Sequence, residues 1–345
     1  MRKFALICSF FCLCALQLQA NDELQPLLPL LQAPTRTAAQ TQQVLRLFTD
    51  ATQPETVFAA GASLVRIPPA KIQENNLLNL LLKNHAPLKQ FFAGVILTAM
   101  GADYPELSEL MQEVLDSAGD PVLRAYAAAA YTVLNPTQTQ YSDGIVHLYI
   151  YDPAFAQRAM NLISSGDGQT LRYLKKAAGS DQAQVRAAAA AWLGDVQNKK
   201  ASAQLLRMAD KETDTEVSAA LAQALAKNQT WTLQKAVKKL NFAPAGQPAA
   251  TYALALGFMT GNAVPHLKQT LLNKNAAARA NAARAAAYMA GVLASEQARL
   301  YSSDVSFDTF LLKGLIPLLS ALAQTGSEAE KLYAQNALTQ IAKLK

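Results

Sequence analysis

The chain has 345 residues; alanine (66) and leucine (51) supply about a third of them, while glycine and proline supply 15 each. Ala and Leu lead the helix propensity scale, so the composition favours an all-α chain and excludes a β-sandwich or barrel, which needs many β-branched residues and frequent turn signals. A hydrophobic share of 51% excludes disorder, and a formal charge of +6 is too small to mark a nucleic-acid binder.

The first element is a basic start, Met1-Arg2-Lys3, followed by an apolar run from Phe4 to Leu18 that only Ser9 and Gln17 interrupt. Small Ala20 then precedes polar Asn21-Asp22-Glu23. This is the layout of a Sec-type signal peptide over residues 1–20, with cleavage expected after Ala20 and export of the rest. The run is shorter than the roughly 20 residues a membrane span needs, so no stable span is expected after cleavage. Cys8, Cys12 and Cys14 all lie inside this segment, and none follows a Leu-(Ala/Ser)-(Gly/Ala) triplet of the lipid-attachment type. The mature chain would therefore hold no disulfide, no thiol nucleophile and no thiolate metal ligand. It would carry 29 basic against 25 acidic residues. Residues 21–36, with Pro26, Pro29 and Pro34, read as an exposed leader.

From residue 37 to 345 the chain repeats itself. A polar or turn residue is followed by two or three residues, an apolar residue, a basic residue and an alanine-rich run. Asp120-Pro121-Val122-Leu123-Arg124, Gln182-Ala183-Gln184-Val185-Arg186 and Asn275-Ala276-Ala277-Ala278-Arg279 are the clearest copies. Weaker ones begin at His85, Asp214 and Ser327, and further starts fall near Pro54, Pro153 and Gly246. Seven steps from 54 to 275 give a mean period of about 32 residues, in the range of stacked helical hairpins. A second amphipathic segment precedes each alanine-rich one: Lys71–Leu82, Pro105–Leu115, Gly168–Ala178, Lys200–Ala209 and Pro265–Leu272. Short breaks between the paired segments predict antiparallel helices. The alanine runs Ala127–Ala130 and Ala187–Ala191 read as faces that let neighbouring helices approach closely. Residues 141–151 are β-branched and aromatic where a first helix is due, and residues 292–306 read as an insertion with a loop at Ser302-Ser303-Asp304. A long apolar helix is expected over Phe307–Ala323, with Pro317 as a kink or break, and a capping helix over Glu328–Leu344.

The pattern Asp-Pro-x-Val-Arg-x-Ala-Ala-x-Ala-Leu-Gly resembles the HEAT repeat in its short bacterial form. Asp120-Pro121 with Leu123-Arg124, Val185-Arg186-Ala187-Ala188 with Trp192-Leu193-Gly194, and Ala253-Leu254-Ala255-Leu256-Gly257 carry the resemblance. It implies an α-solenoid of about eight stacked helix pairs whose second helices line a concave surface. It also implies that the recurrent basic residues Lys89, Arg124, Arg186, Arg279 and Lys331 bond a carboxylate or carbonyl at a neighbouring turn. A ladder that binds an anionic partner is the alternative for these residues. Trp192, Trp231, Tyr126, Tyr131, Tyr252, Tyr288 and Tyr333 are either contact anchors or core.

No catalytic, metal or cofactor site is expected. His85, His147 and His266 are far apart in sequence and show no ligand spacing. Gly166-Asp167-Gly168 lacks the lysine of a phosphate loop and reads as a turn. The expected function is a non-enzymatic, protein- or peptide-binding scaffold in a bacterial periplasm or cell envelope, or secreted. Arg124, Tyr131, Arg186, Arg279 and Arg284 are the candidate binding residues. The alternatives are a HEAT-like enzyme of lyase type and a binder of anionic envelope polymer.

Overall fold

The computed structural model describes residues 27–344, apart from 34, 71–73, 84–85, 139, 164–166, 243–246 and 297. The export segment 1–20 and the leader as far as residue 26 lie outside the described residues. The described residues form helices joined by turns, with no strand among them. They divide into two compact units, Met1–Tyr173 and Leu174–Lys345.

The first unit contains α1 (Leu28–Gln32), α2 (Ala38–Asp50), α3 (Pro54–Arg66), α4 (Glu74–Lys83), α5 (Pro87–Ala99), α6 (Pro105–Ser117), α7 (Pro121–Leu134), α8 (Ser142–Leu148) and α9 (Pro153–Ile163). The helix α10 (Asp167–Ala177) crosses the boundary between the units. Five of these helices begin with proline, where the missing N–H would have had no intrahelical partner anyway. The motif's opening polar residue is the N-cap: Asp120 Oδ1 accepts from Val122 N and Leu123 N at 2.8 and 2.9 Å. Ala127–Ala130 are all buried, as a helix packed on both sides requires.

Two sequence expectations are corrected in this unit. Residues 27–36 are not an exposed leader throughout: α1 packs on α3, Leu31 is buried, and its carbonyl accepts from Ser63 Oγ at 2.7 Å. Arg36 adds hydrogen bonds to the Ser63 and Ile67 carbonyls. Within residues 141–151, Ser142–Leu148 does form a first helix, α8, because Ile145, Val146 and Leu148 are fully buried and packing outweighs the lower helix propensity of the β-branched Ile145 and Val146.

The second helices α3, α5, α7 and α9 roll around a shared aromatic core. Phe58, Phe92, Tyr126 and Phe155 supply one ring each, with successive centroids 5.3, 5.7 and 5.7 Å apart. The helix α9 thereby reaches back to α3. Asp152, wholly buried, fixes the closure: its Oδ2 accepts from Arg66 Nε at 3.0 Å and from the Tyr126 hydroxyl at 2.7 Å, and its Oδ1 from Phe155 N at 3.1 Å.

The second unit continues with α11 (Ala183–Val196), α12 (Lys199–Ala209), α13 (Thr215–Lys227), α14 (Gln229–Phe242), α15 (Gln247–Phe258), α16 (Val264–Leu271) and α17 (Ala276–Ala294). Then come α18 (Ala298–Tyr301), α19 (Val305–Lys313), α20 (Ile316–Thr325) and α21 (Glu328–Ile341). The second helices α11, α13, α15, α17 and α21 pack on one another in succession. Ala188–Ala190 are fully buried in this row, while Ala187 and Ala191 are only half-buried and face the surface of the row.

The Leu-Gly that closes the repeat motif has its reason here. A Cβ on Gly194 would lie 2.9 Å from Ala224 Cα on α13, and one on Gly257 would lie 2.8 Å from Tyr288 Cβ on α17. Each glycine sets how closely one second helix approaches the next. Gly194→Leu is therefore expected to destabilise the chain by about 1–3 kcal/mol through overpacking, read as a lower urea midpoint at unchanged slope. An unchanged midpoint would show that the row relaxes freely.

The insertion is mostly helical. The helix α17 runs on to Ala294, a turn at Ser295-Glu296 leads to α18, and residues 302–304 are irregular. Asp304 caps α19 through Phe307 N at 3.0 Å. The expected helix Phe307–Ala323 is two helices. Val305–Thr325 is long and apolar enough to cross a membrane by length and composition, but it breaks at Gly314-Leu315, and Pro317 occupies the first turn of α20. Leu312, Leu315 and Leu319 are buried from it, while Phe307 and Phe310 are exposed.

Candidate binding surface on the second helices

The recurrent arginine of the motif points back along its own chain. Arg186 donates to the Ser180 and Asp181 carbonyls at 2.9 and 3.1 Å, and Arg279 to the Asn273 and Lys274 carbonyls at 2.7 and 3.0 Å. Arg124 reaches Ala118 O more loosely, at 3.4 Å. In all three the carbonyl lies six residues upstream, in the turn between the paired helices. Lys89 finds the Thr49 carbonyl at 2.6 Å.

Two of these arginines also pair with a carboxylate of the following repeat. Arg186 holds Glu212 through two parallel bonds, Nε to Oε2 at 2.8 Å and Nη2 to Oε1 at 3.0 Å. Arg279 Nε meets Glu330 Oε1 at 2.6 Å. The same carboxylates cap the next helix: Glu212 accepts from Thr213 N and Asp214 N, and Glu330 from Ser327 N and Oγ. Burial alone would raise both carboxyls. Hydrogen bonds from Arg186 and from the backbone of Asp214 and Thr213 outweigh that for Glu212, and those from Ser327 and Arg279 do so for Glu330. Both are held below the ordinary glutamate range.

The five candidate residues are divided between the two units. Arg124 and Tyr131 lie in the first unit, the other three in the second. Tyr131 is buried, its hydroxyl donates to Gln138 Oε1 at 2.8 Å, and its ring meets Tyr141 edge-on at 5.3 Å. Arg186 and Arg279 are committed to the contacts above.

Arg284 is different. Its Nε donates to the Tyr288 hydroxyl at 3.1 Å, and its guanidinium carbon lies 5.5 Å from the Tyr288 ring centroid and 5.4 Å from that of Tyr333. It makes no ion pair among the described residues. The two rings come from consecutive second helices, α17 and α21, and both are half-buried. Leu254 and Phe258, half-buried on α15, extend the row; Gly257 between them sits against Tyr288, and the Phe258 ring lies 4.7 Å from that of Tyr301. At the far end, Lys227 on α13 and Asp195 on α11 form an exposed pair at 2.6 Å.

The other aromatic residues divide. Trp192 is buried. Tyr252 is fully buried, its hydroxyl donates to Asp210 Oδ1 at 2.7 Å, and burial with that carboxylate pushes its phenol far above the usual range. Trp231 is 45% exposed but sits on a first helix, α14. A cleft of about 490 Å³ beside the Arg186–Glu212 pair is rimmed by Lys175, Arg207 and Lys211. These cations stand at the C-terminal ends of α10 and α12, where they offset the helix dipoles. Among the described residues no three His, Cys, Asp or Glu side chains gather as a metal-binding group. His266 lies beside Gln234, and His85 is outside the described residues.

Residues 151–226 match the family profile for HEAT repeats. No curated protein matches the chain. Among solved structures, an engineered protein is 18% identical, covering 89% of this chain and 99% of its own, with a TM-score of 0.26. The family match takes in the copy at Gln182–Arg186 and the weaker one at Asp214, and the same helix pairs, caps and turn-directed arginines recur outside it at Asp120–Arg124 and Asn275–Arg279: the chain is an all-α, HEAT-like helical-repeat protein.

Proposed function

We propose that the protein is a non-enzymatic scaffold that binds a protein or peptide partner on the second helices of its second unit. The observation that carries this is Arg284, held between Tyr288 and Tyr333 on adjacent second helices, with Leu254 and Phe258 alongside. Tyr and Arg, with Trp, are the residues enriched at binding hot spots. In the first unit the corresponding helices close on their own aromatic core, so the second unit supplies the open row. The signal-like residues 1–20 support export to a bacterial periplasm or beyond, with a mature chain that starts at Asn21.

The test is site-specific photo-crosslinking in intact cells, with the crosslinker placed in turn at Leu254, Tyr288 and Tyr333, and at Lys235 on a first helix as control. The reading expects one protein captured from the first three positions and not from the control. Capture from the control alone, or from none of them with the protein folded and exported, contradicts it. Intact mass of the exported chain checks the start at Asn21.

A further inference from the structure

Resting on that reading, we infer that Arg284 is a carboxylate anchor, and that the partner is an extended segment presenting Asp, Glu or a free C-terminus beside apolar side chains. The half-buried arginines Arg186 and Arg279 have their donors consumed by carbonyls and a carboxylate. Arg284 spends only Nε, on the Tyr288 hydroxyl. Its edge formed by the two Nη groups meets no carboxylate or carbonyl among the described residues. Two rings lie within 5.5 Å of the guanidinium carbon, Tyr288 on its own helix and Tyr333 on α21, and with the Nε bond to Tyr288 they restrict the side chain, so less rotamer freedom remains to be lost on binding.

A planar fork fixed in this way matches a carboxylate, which takes two parallel N–H···O bonds. A lysine at the same place would offer charge without the fork. The surroundings set the rest of the ligand. Tyr288 and Tyr333 partly shield the site from water, which strengthens a charge-assisted bond. Leu254 and Phe258, one second helix away, offer apolar area to neighbouring side chains of the same segment. An acidic group flanked by apolar ones therefore fits, and a basic segment is repelled.

The probe is an array of synthetic peptides in matched pairs: Asp or Glu against Asn or Gln at each position, and free against amidated C-termini. The full-length protein is applied as wild type, Arg284→Gln, Arg284→Lys and Tyr333→Ala, each first shown to be folded by circular dichroism. The expected result is retention of acidic peptides over their neutral partners by wild type, weakened about tenfold or more in Arg284→Gln and not restored by Arg284→Lys. The free and amidated arms separate a terminal carboxylate from a side-chain one. Retention without acid preference, or an acid preference that survives Arg284→Gln, overturns the anchor while leaving the scaffold intact. Failure of every peptide to bind overturns the anchor, and the crosslinking result then decides the scaffold separately.

Discussion

Replacing Asp152 with alanine should destabilise the protein by about 3 kcal/mol, the low end of the range for breaking a buried ion pair. The carboxylate is wholly buried and receives three donors: the Arg66 guanidinium, the Tyr126 hydroxyl and the Phe155 backbone N–H. Removing it leaves Tyr126 with a buried, unpaired hydroxyl. Arg66 keeps 37% of its side chain exposed, so its charge can turn toward water, which holds the loss to the low end. Tyr126→Phe removes one neutral donor and should cost less, about 1–2 kcal/mol. Burial and the neighbouring Asp152 push the Tyr126 phenol far up, so it stays a donor across the working pH range. Urea unfolding measures both. Equal stability of Asp152→Ala and wild type would mean that the aromatic core closes α9 on α3 without the polar contact.

Arg279→Met should cost about 3 kcal/mol as well, because it strands Glu330, which is 1% exposed, without its guanidinium. The effect has a pH signature. Glu330 has a depressed carboxyl in the folded chain. Its contribution is present above the unfolded glutamate value of about 4.3 and is lost as pH falls through the lower folded value. The gap between wild type and Arg279→Met should therefore be largest near neutral pH and shrink on acidification. Glu330→Gln should lose much less than the arginine variant, and the double-mutant cycle should show coupling between the two. A pH-independent gap would assign the loss to packing of the arginine stem instead.

The architecture was legible because the repeat unit writes its own physics. Asp120, Asp214 and Asn275 open their copies of the period as polar or turn residues, which the structure makes N-caps, and the alanine runs announce close helix approach, to which the structure adds Gly194 and Gly257. The turn-directed role of the arginines is what the resemblance to HEAT repeats implies; their recurrence in the period also allows a ladder for an anionic partner. What the sequence did not show was tertiary. Nothing local marks Asp152 as the partner of Arg66, 86 residues away, or shows that Phe58, Phe92, Tyr126 and Phe155 meet. The apolar stretch predicts a kink or break at Pro317; the break lies at Gly314 and Leu315, and Pro317 sits in the first turn of the helix that follows. Arg284 lies outside the repeated basic position, five residues beyond Arg279. Only its neighbours Tyr288, four residues on, and Tyr333, from the next repeat, set it apart. Helical spacing alone could not separate Tyr252, which is core, from Tyr288, which is surface.

The most direct test of this division of labour compares Arg279→Gln with Arg284→Gln for thermal midpoint and for retention of the acidic peptides. Arg279→Gln is expected to lower the midpoint by several degrees while each folded molecule binds as wild type does, and Arg284→Gln to hold the midpoint and lose the binding. The reverse pattern, with binding lost at Arg279 and stability lost at Arg284, would contradict the account.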